Sequence, residues 1–138
     1  MKPSDRPVPL GAWILQLVAA AILAQTLFFK FSGAPEAVAL FEQLGAEPWG
    51  RIGVGLLELV AVVLLLVPRT AGLGGLLGLG LMVGALFSHA TRLGIEVQDD
   101  GGALFAMAVV TLVASGLVVF LRRCELPVVG GRFCDTPV

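Results

Sequence analysis

Charge is what this chain has least of. Only 14% of its 138 residues are Asp, Glu, Lys or Arg against 57% apolar, and mean hydropathy is +0.96. A soluble domain carries about 25% charged residues and at this length buries only about two-thirds of its unfolded surface, so a water-soluble globule is excluded. Net charge is −1, which argues against nucleic acid as a partner. The single histidine, His89, and the separated carboxylates lack the ligand-rich spacing of a zinc or di-iron site, so no metal is expected. The two cysteines, Cys124 and Cys134, stand ten apart and form no Cys-x-x-Cys motif. Phosphate-binding loops, Ser/His/Asp arrangements and the zinc-protease helix motif are also missing. No catalytic residue can be named, and whether the protein is an enzyme stays open.

What is present is hydrocarbon in long runs. Leu10 to Phe29 is broken only by Gln16, Gln25 and Thr26, and at about 1.5 Å per residue it covers the ~30 Å core of a bilayer. A cleavable signal peptide is the rival reading, but its apolar region usually runs only ~7–15 residues. A second span runs from near Ile52 to Val67, with Trp49 and Gly50 in its first turn, and is closed by Pro68. A third runs Ala71 to Leu93, separated from the second only by Pro68, Arg69 and Thr70, which predicts a tight antiparallel hairpin. Asp99 and Asp100 offer capping carboxylates to a fourth, Gly101 to Leu121, which stops at Arg122 and Arg123. These segments lack the alternation of barrel strands and are twice as long, so the expected fold is all-α, a membrane-embedded four-helix bundle. Residues 1–9 form a terminal segment, 10–123 the four-span domain and 124–138 a tail.

With the amino terminus in the cytoplasm, Lys2, Arg6, Arg69, Arg122, Arg123 and Arg132 lie inside and Lys30, Arg51 and Arg92 outside, six against three. The positive-inside bias therefore favours both termini cytoplasmic, and reduced cysteines are the default for such a tail. In the one long connection, Pro35 suits a helix start and Gly45 its end, while Val38, Phe41 and Leu44 recur at helical spacing. That predicts a short interfacial helix between spans one and two, with Trp49 and Trp13 as anchors at opposite surfaces. In span three, Gly74/Gly78 and Gly80/Gly84 are small-xxx-small pairs, suited to packing within the bundle or to a homo-oligomer seam.

Glu58 carries the most information. It lies ~9 Å below the start of span two, where an unpaired carboxylate would cost several kcal/mol, so it requires a partner, a proton or water. Lys30 ends span one on the same side and can reach inward along its stem. His89 sits near the end of span three on that side, Arg51 shares a helical face with Glu58, Arg92 shares one with His89, and Asp100 opens span four at the same level. Every span thus brings an ionisable group to the outer half, and the inner half has none between the helix ends. Individually, Lys30, Arg92 and Asp100 also read as boundary or cap residues and His89 as packing. The candidate ligand-binding set is Lys30, Trp49, Arg51, Glu58, His89, Arg92 and Asp100.

Lys30 at the end of span one, Pro48-Trp49-Gly50-Arg51-Ile52-Gly53, Gly55-x-x-Glu58, Pro68-Arg69-Thr70, the run from His89 to Ile95 and Asp100-Gly101-Gly102-x-Leu104-Phe105 together resemble the DoxX family of small bacterial membrane proteins. The resemblance covers roughly Leu10 to Arg123 and leaves out Cys124 and Cys134. It implies a four-helix protein of the bacterial inner membrane. The family takes its name from a small subunit associated with quinone-linked thiosulfate oxidation, and relatives are linked to redox or maturation systems. Three classes of function are open. One is an accessory or binding protein whose outer-facing pocket of Glu58, Lys30 and His89 serves a redox partner or an amphiphile such as a quinone. A second is a proton- or ion-coupled transporter, for which the inner half offers chiefly Gln16 as a polar step. A structural scaffold fixed by a buried ion pair is the third reading.

Overall fold

The computed structural model describes residues 7–127. Lys2, Arg6, Arg132 and Cys134, used above, lie outside them. Four helices are long and apolar enough to cross a membrane: α1 (Leu10–Ser32), α3 (Trp49–Leu66), α4 with the turn that prolongs it (Ala71–Leu93) and α5 (Ala103–Leu121). Between the first two lies α2 (Pro35–Gln43), with proline in its first turn as the sequence requires. The protein is an all-helical, multi-pass membrane protein.

Each boundary has a local cause. α1 runs past the expected Phe29 and ends at Gly33, whose φ of 66° lets its amide and that of Ala34 close back on the Lys30 and Phe29 carbonyls. That extra turn places Lys30 inside the helix. α3 stops before Pro68, and the Thr70 hydroxyl donates to the Leu64 carbonyl at 3.0 Å, tying the hairpin. α4 is α-helical only to Ser88. His89–Leu93 forms a π-helical turn, closed by the Gly94 amide on the His89 carbonyl at 2.8 Å. α5 begins at Ala103, two residues later than expected, because Gln98, Asp99, Gly101 and Gly102 all take positive φ.

α1 and α4 each pack against both α3 and α5 and barely touch one another, so the four spans form a ring. The packed centre holds Ala19, Leu23, Ala61, Leu65 and Val118, all at most 1% exposed. Leu56, Val63, Val83, Val113 and Phe120 face outward, as a lipid solvent demands. Glycine sets the spacing of α4. A methyl group on Gly74 would stand 2.6 Å from the Leu65 amide nitrogen of α3, and one on Gly75 would stand 3.0 Å from the Ser115 carbonyl of α5. Gly80 and Gly84 behave differently, because no atom lies within 4 Å of the corresponding positions. The first small-xxx-small pair is therefore a packing seam inside the bundle, whereas the second borders open space.

Candidate functional site

That open space is a cavity of about 970 Å³ at the α2 end of the bundle. It extends down to Leu23, Glu58, Gly80 and Ala108, and the packed centre lies beyond them. The roof is α2. Phe41 is buried beneath it, and two exposed glutamines strap it down: Gln43 Nε2 donates to the Arg92 carbonyl at 3.1 Å, and Gln98 Nε2 to the Glu36 carbonyl at 3.0 Å. The walls are mostly apolar, interrupted by a few charged side chains.

The chief interruption is the pair anticipated from the sequence. Lys30 Nζ donates to Glu58 Oε1 at 3.0 Å, with the carboxylate side chain 3% exposed and the ammonium side chain 14%. Thr26, one turn before Lys30 on the same face of α1, donates to the second carboxylate oxygen at 3.3 Å. An excess charge at this depth would be expelled, so each member requires the other. Sequence reasoning passed over Thr26, although its i, i+4 relation to Lys30 was the available signal.

Trp49, His89, Arg92 and Asp100 also line the cavity. Trp49 is 72% exposed at its mouth. The His89 ring meets Phe105 edge-on, and its Nδ1 lies 2.7 Å from the Gly94 carbonyl. A carbonyl only accepts, so Nδ1 carries the proton of that bond. The Arg92 side chain is exposed and makes no hydrogen bond or ion pair among the described residues, because the π-helical turn breaks the spacing that would stack it on His89. Asp100 is a capping residue. Its oxygens accept from the Val97, Gly102 and Leu104 amides at 3.0, 2.8 and 2.9 Å. Those amides, Leu104 first, hold its carboxyl below the ordinary carboxylate range. Asp99 takes a left-handed φ of 61° and makes no such bonds.

The structure sets Arg51 outside the cavity. Its guanidinium meets Glu47 at 2.9 Å and donates to the Lys30 carbonyl, so it fastens the end of α1 to the start of α3. Seven residues from Glu58 it shares a side of the helix, yet it leans back one turn.

At the opposite, hairpin end is a polar cluster that sequence reasoning missed. Arg122, only 3% exposed, donates through Nε to Gln16 Oε1 at 2.7 Å and through Nη1 to the Pro68 carbonyl at 2.7 Å and to Glu125 at 2.9 Å. Gln16 passes the link on to the Leu65 carbonyl at 2.8 Å. Three spans and the hairpin turn are thereby joined at one side chain. The sequence places no ionisable residue between the helix ends in that half, but the helix-ending Arg122 folds back into the bundle. Cys124, just beyond, is disulfide-bonded, not the reduced thiol expected of a cytoplasmic tail. No group of three or more His, Cys, Asp or Glu poised for a metal occurs among the described residues.

Fold and site together define a small four-span helical membrane protein with an apolar cavity and a buried ion pair at one end. The DoxX-like family model matches residues 14–116, most of the chain, with the second and third spans whole and the greater part of the first and fourth, and the chain belongs to that family. No curated protein and no solved structure gives a significant match.

Proposed function

We propose that this is an accessory or binding protein of the bacterial inner membrane, whose α2-end cavity receives a small amphiphile from the bilayer. The observation that carries the reading is the Lys30–Glu58 pair on the wall of a 970 Å³, mainly apolar chamber. Buried pairs contribute little net stability compared with apolar packing, so one placed beside open volume is better explained by recognition than by folding. A quinone, or a redox protein that exchanges one, is the ligand suggested by the family's associations. The cavity stops at the packed centre, and the hairpin end beyond is held by Arg122, which favours binding over proton- or ion-coupled transport. Both termini are proposed to be cytoplasmic on the basic-residue count, which turns the cavity outward. The disulfide at Cys124 favours the opposite orientation, because such bonds persist in oxidising compartments. Labelling single cysteines placed in α2 and at Arg69 with an impermeant maleimide decides between the two.

The ligand reading is tested with a photoactivatable alkyl amphiphile in nanodiscs. Cross-links should concentrate at cavity residues such as Met107 and Ala85 and should fall sharply in Glu58→Gln. Even labelling of lipid-facing positions such as Val83 and Val113, unchanged in Glu58→Gln, would remove the proposal.

A further inference from the structure

Resting on that reading, we infer that the cavity selects neutral amphiphiles whose head group carries an O–H, an alcohol or phenol, and that His89 Nε2 reads it. The inference comes from accounting for every buried polar group on the wall. Glu58 accepts from Lys30 and from the Thr26 hydroxyl, whose single proton is shared with the Leu23 carbonyl. The Asp100 carboxylate is engaged by three backbone amides. The Ser88 and Thr91 hydroxyls are turned back onto the Gly84 and Phe87 carbonyls of their own helix. His89 is different. It is 5% exposed, its Nδ1 is committed to Gly94, and its Nε2 makes no hydrogen bond among the described residues. With Nδ1 donating to Gly94, Nε2 is the ring nitrogen left to act as a lone-pair acceptor. Nε2 is not among the fully buried, unpartnered polar atoms of the described residues, which are Ser115 Oγ and Arg122 Nη2, so it keeps open surface at which a ligand hydroxyl can donate.

Charge narrows the class further. Three carboxylates (Glu36, Glu58, Asp100) and two cations (Lys30, Arg92) line the cavity. Lys30 keeps spare N–H donors, but its charge is matched 3.0 Å away by Glu58, and Arg92, the lining cation without an ion pair, is exposed like Glu36, so an incoming carboxylate finds no free cation in the interior. A cationic head group finds no free anion in the interior, since Glu36 is exposed at the rim and the other two carboxylates are bonded. A neutral head remains. The π-helical turn is what aims the imidazole, because its bond to Gly94 fixes both tautomer and ring orientation.

The test uses Trp49 at the cavity mouth as reporter in a Trp13→Phe protein held in nanodiscs. Four probes share one brominated alkyl chain and carry a phenol, its methyl ether, a carboxylate or a trimethylammonium head. The phenol should quench Trp49 saturably at about fivefold lower concentration than the other three, the size of one hydrogen bond. His89→Asn keeps an amide donor near the Nδ1 position and should abolish the preference. His89→Gln, which can place an amide oxygen near the Nε2 position, should retain it. Saturable quenching of equal strength by phenol and ether, or a preference for the carboxylate, overturns the inference and leaves the amphiphile reading intact. Non-saturable quenching by all four overturns both.

Discussion

The two ends of the bundle bury a charged group to the same depth and use it differently. Glu58 and Arg122 are each 3% exposed. At the hairpin end, Arg122 is wrapped by Gln16, the Pro68 carbonyl and Glu125, with the Gly74 and Gly75 seams closing the helices around it. At the α2 end the ion pair borders a cavity, and Gly80 and Gly84 leave room that no neighbour fills. Burial of charge alone therefore does not mark a site in a membrane bundle. Burial next to unfilled volume does.

The comparison breaks most easily at the hairpin end. Replacing Arg122 with alanine leaves the fully buried Gln16 amide oxygen and the Pro68 carbonyl without their donor and empties the space of a large buried side chain, and should lower stability by about 3–5 kcal/mol. Thermal unfolding in detergent checks this, and amphiphile binding by the fraction still folded should be unchanged. Glu58→Ala strands Lys30, but that side chain is 14% exposed and can snorkel towards the interface, so a smaller loss of about 2–3 kcal/mol is expected together with loss of amphiphile.

The glycines sharpen the contrast. Gly74→Leu drives a side chain into the α3 backbone and should cost about 1–3 kcal/mol or more. At Gly84 an added Cβ meets nothing within 4 Å, so Gly84→Leu should leave stability within about 0.5 kcal/mol while weakening amphiphile binding by filling its space. Paired melts and cross-linking yields of the two variants separate seam from site. The smallest effect is at Asp100. Its carboxyl is held below the ordinary range, so its contribution is full above the unfolded carboxylate value and is lost as pH falls through the lower, folded one. Asp100→Asn should flatten the acid limb of the melting-temperature profile by lowering its neutral region, where the carboxylate's contribution is full, and should leave the acid end little altered.

How much of this the sequence disclosed depends on whether a residue's partner was close in register. Four spans, the hairpin and α2 followed from hydrophobic run length, Pro68 and the Pro35–Gly45 punctuation. Lys30 and Glu58 were legible as a pair because a lone carboxylate in lipid demands a cation and Lys30, ending span one on that side, can reach inward along its stem. Arg122 and Gln16, 106 positions apart, were read separately, as a stop signal and a break in a hydrophobic run. The register between α1 and α5 that brings them together is set by packing, not by either helix alone. Arg51 and Arg92 shared helical faces with cavity residues, yet one leans back to Glu47 and the other sits on a π-helical turn that ordinary α-helical spacing does not foresee.

The account turns on the α2 end holding a molecule that the hairpin end does not. Native mass spectrometry of gently released protein measures this directly, by comparing wild type with Glu58→Gln and Gln16→Leu. The account predicts a small amphiphile bound to wild type and Gln16→Leu and absent from Glu58→Gln. The same adducts in all three proteins, or none in any, would contradict it.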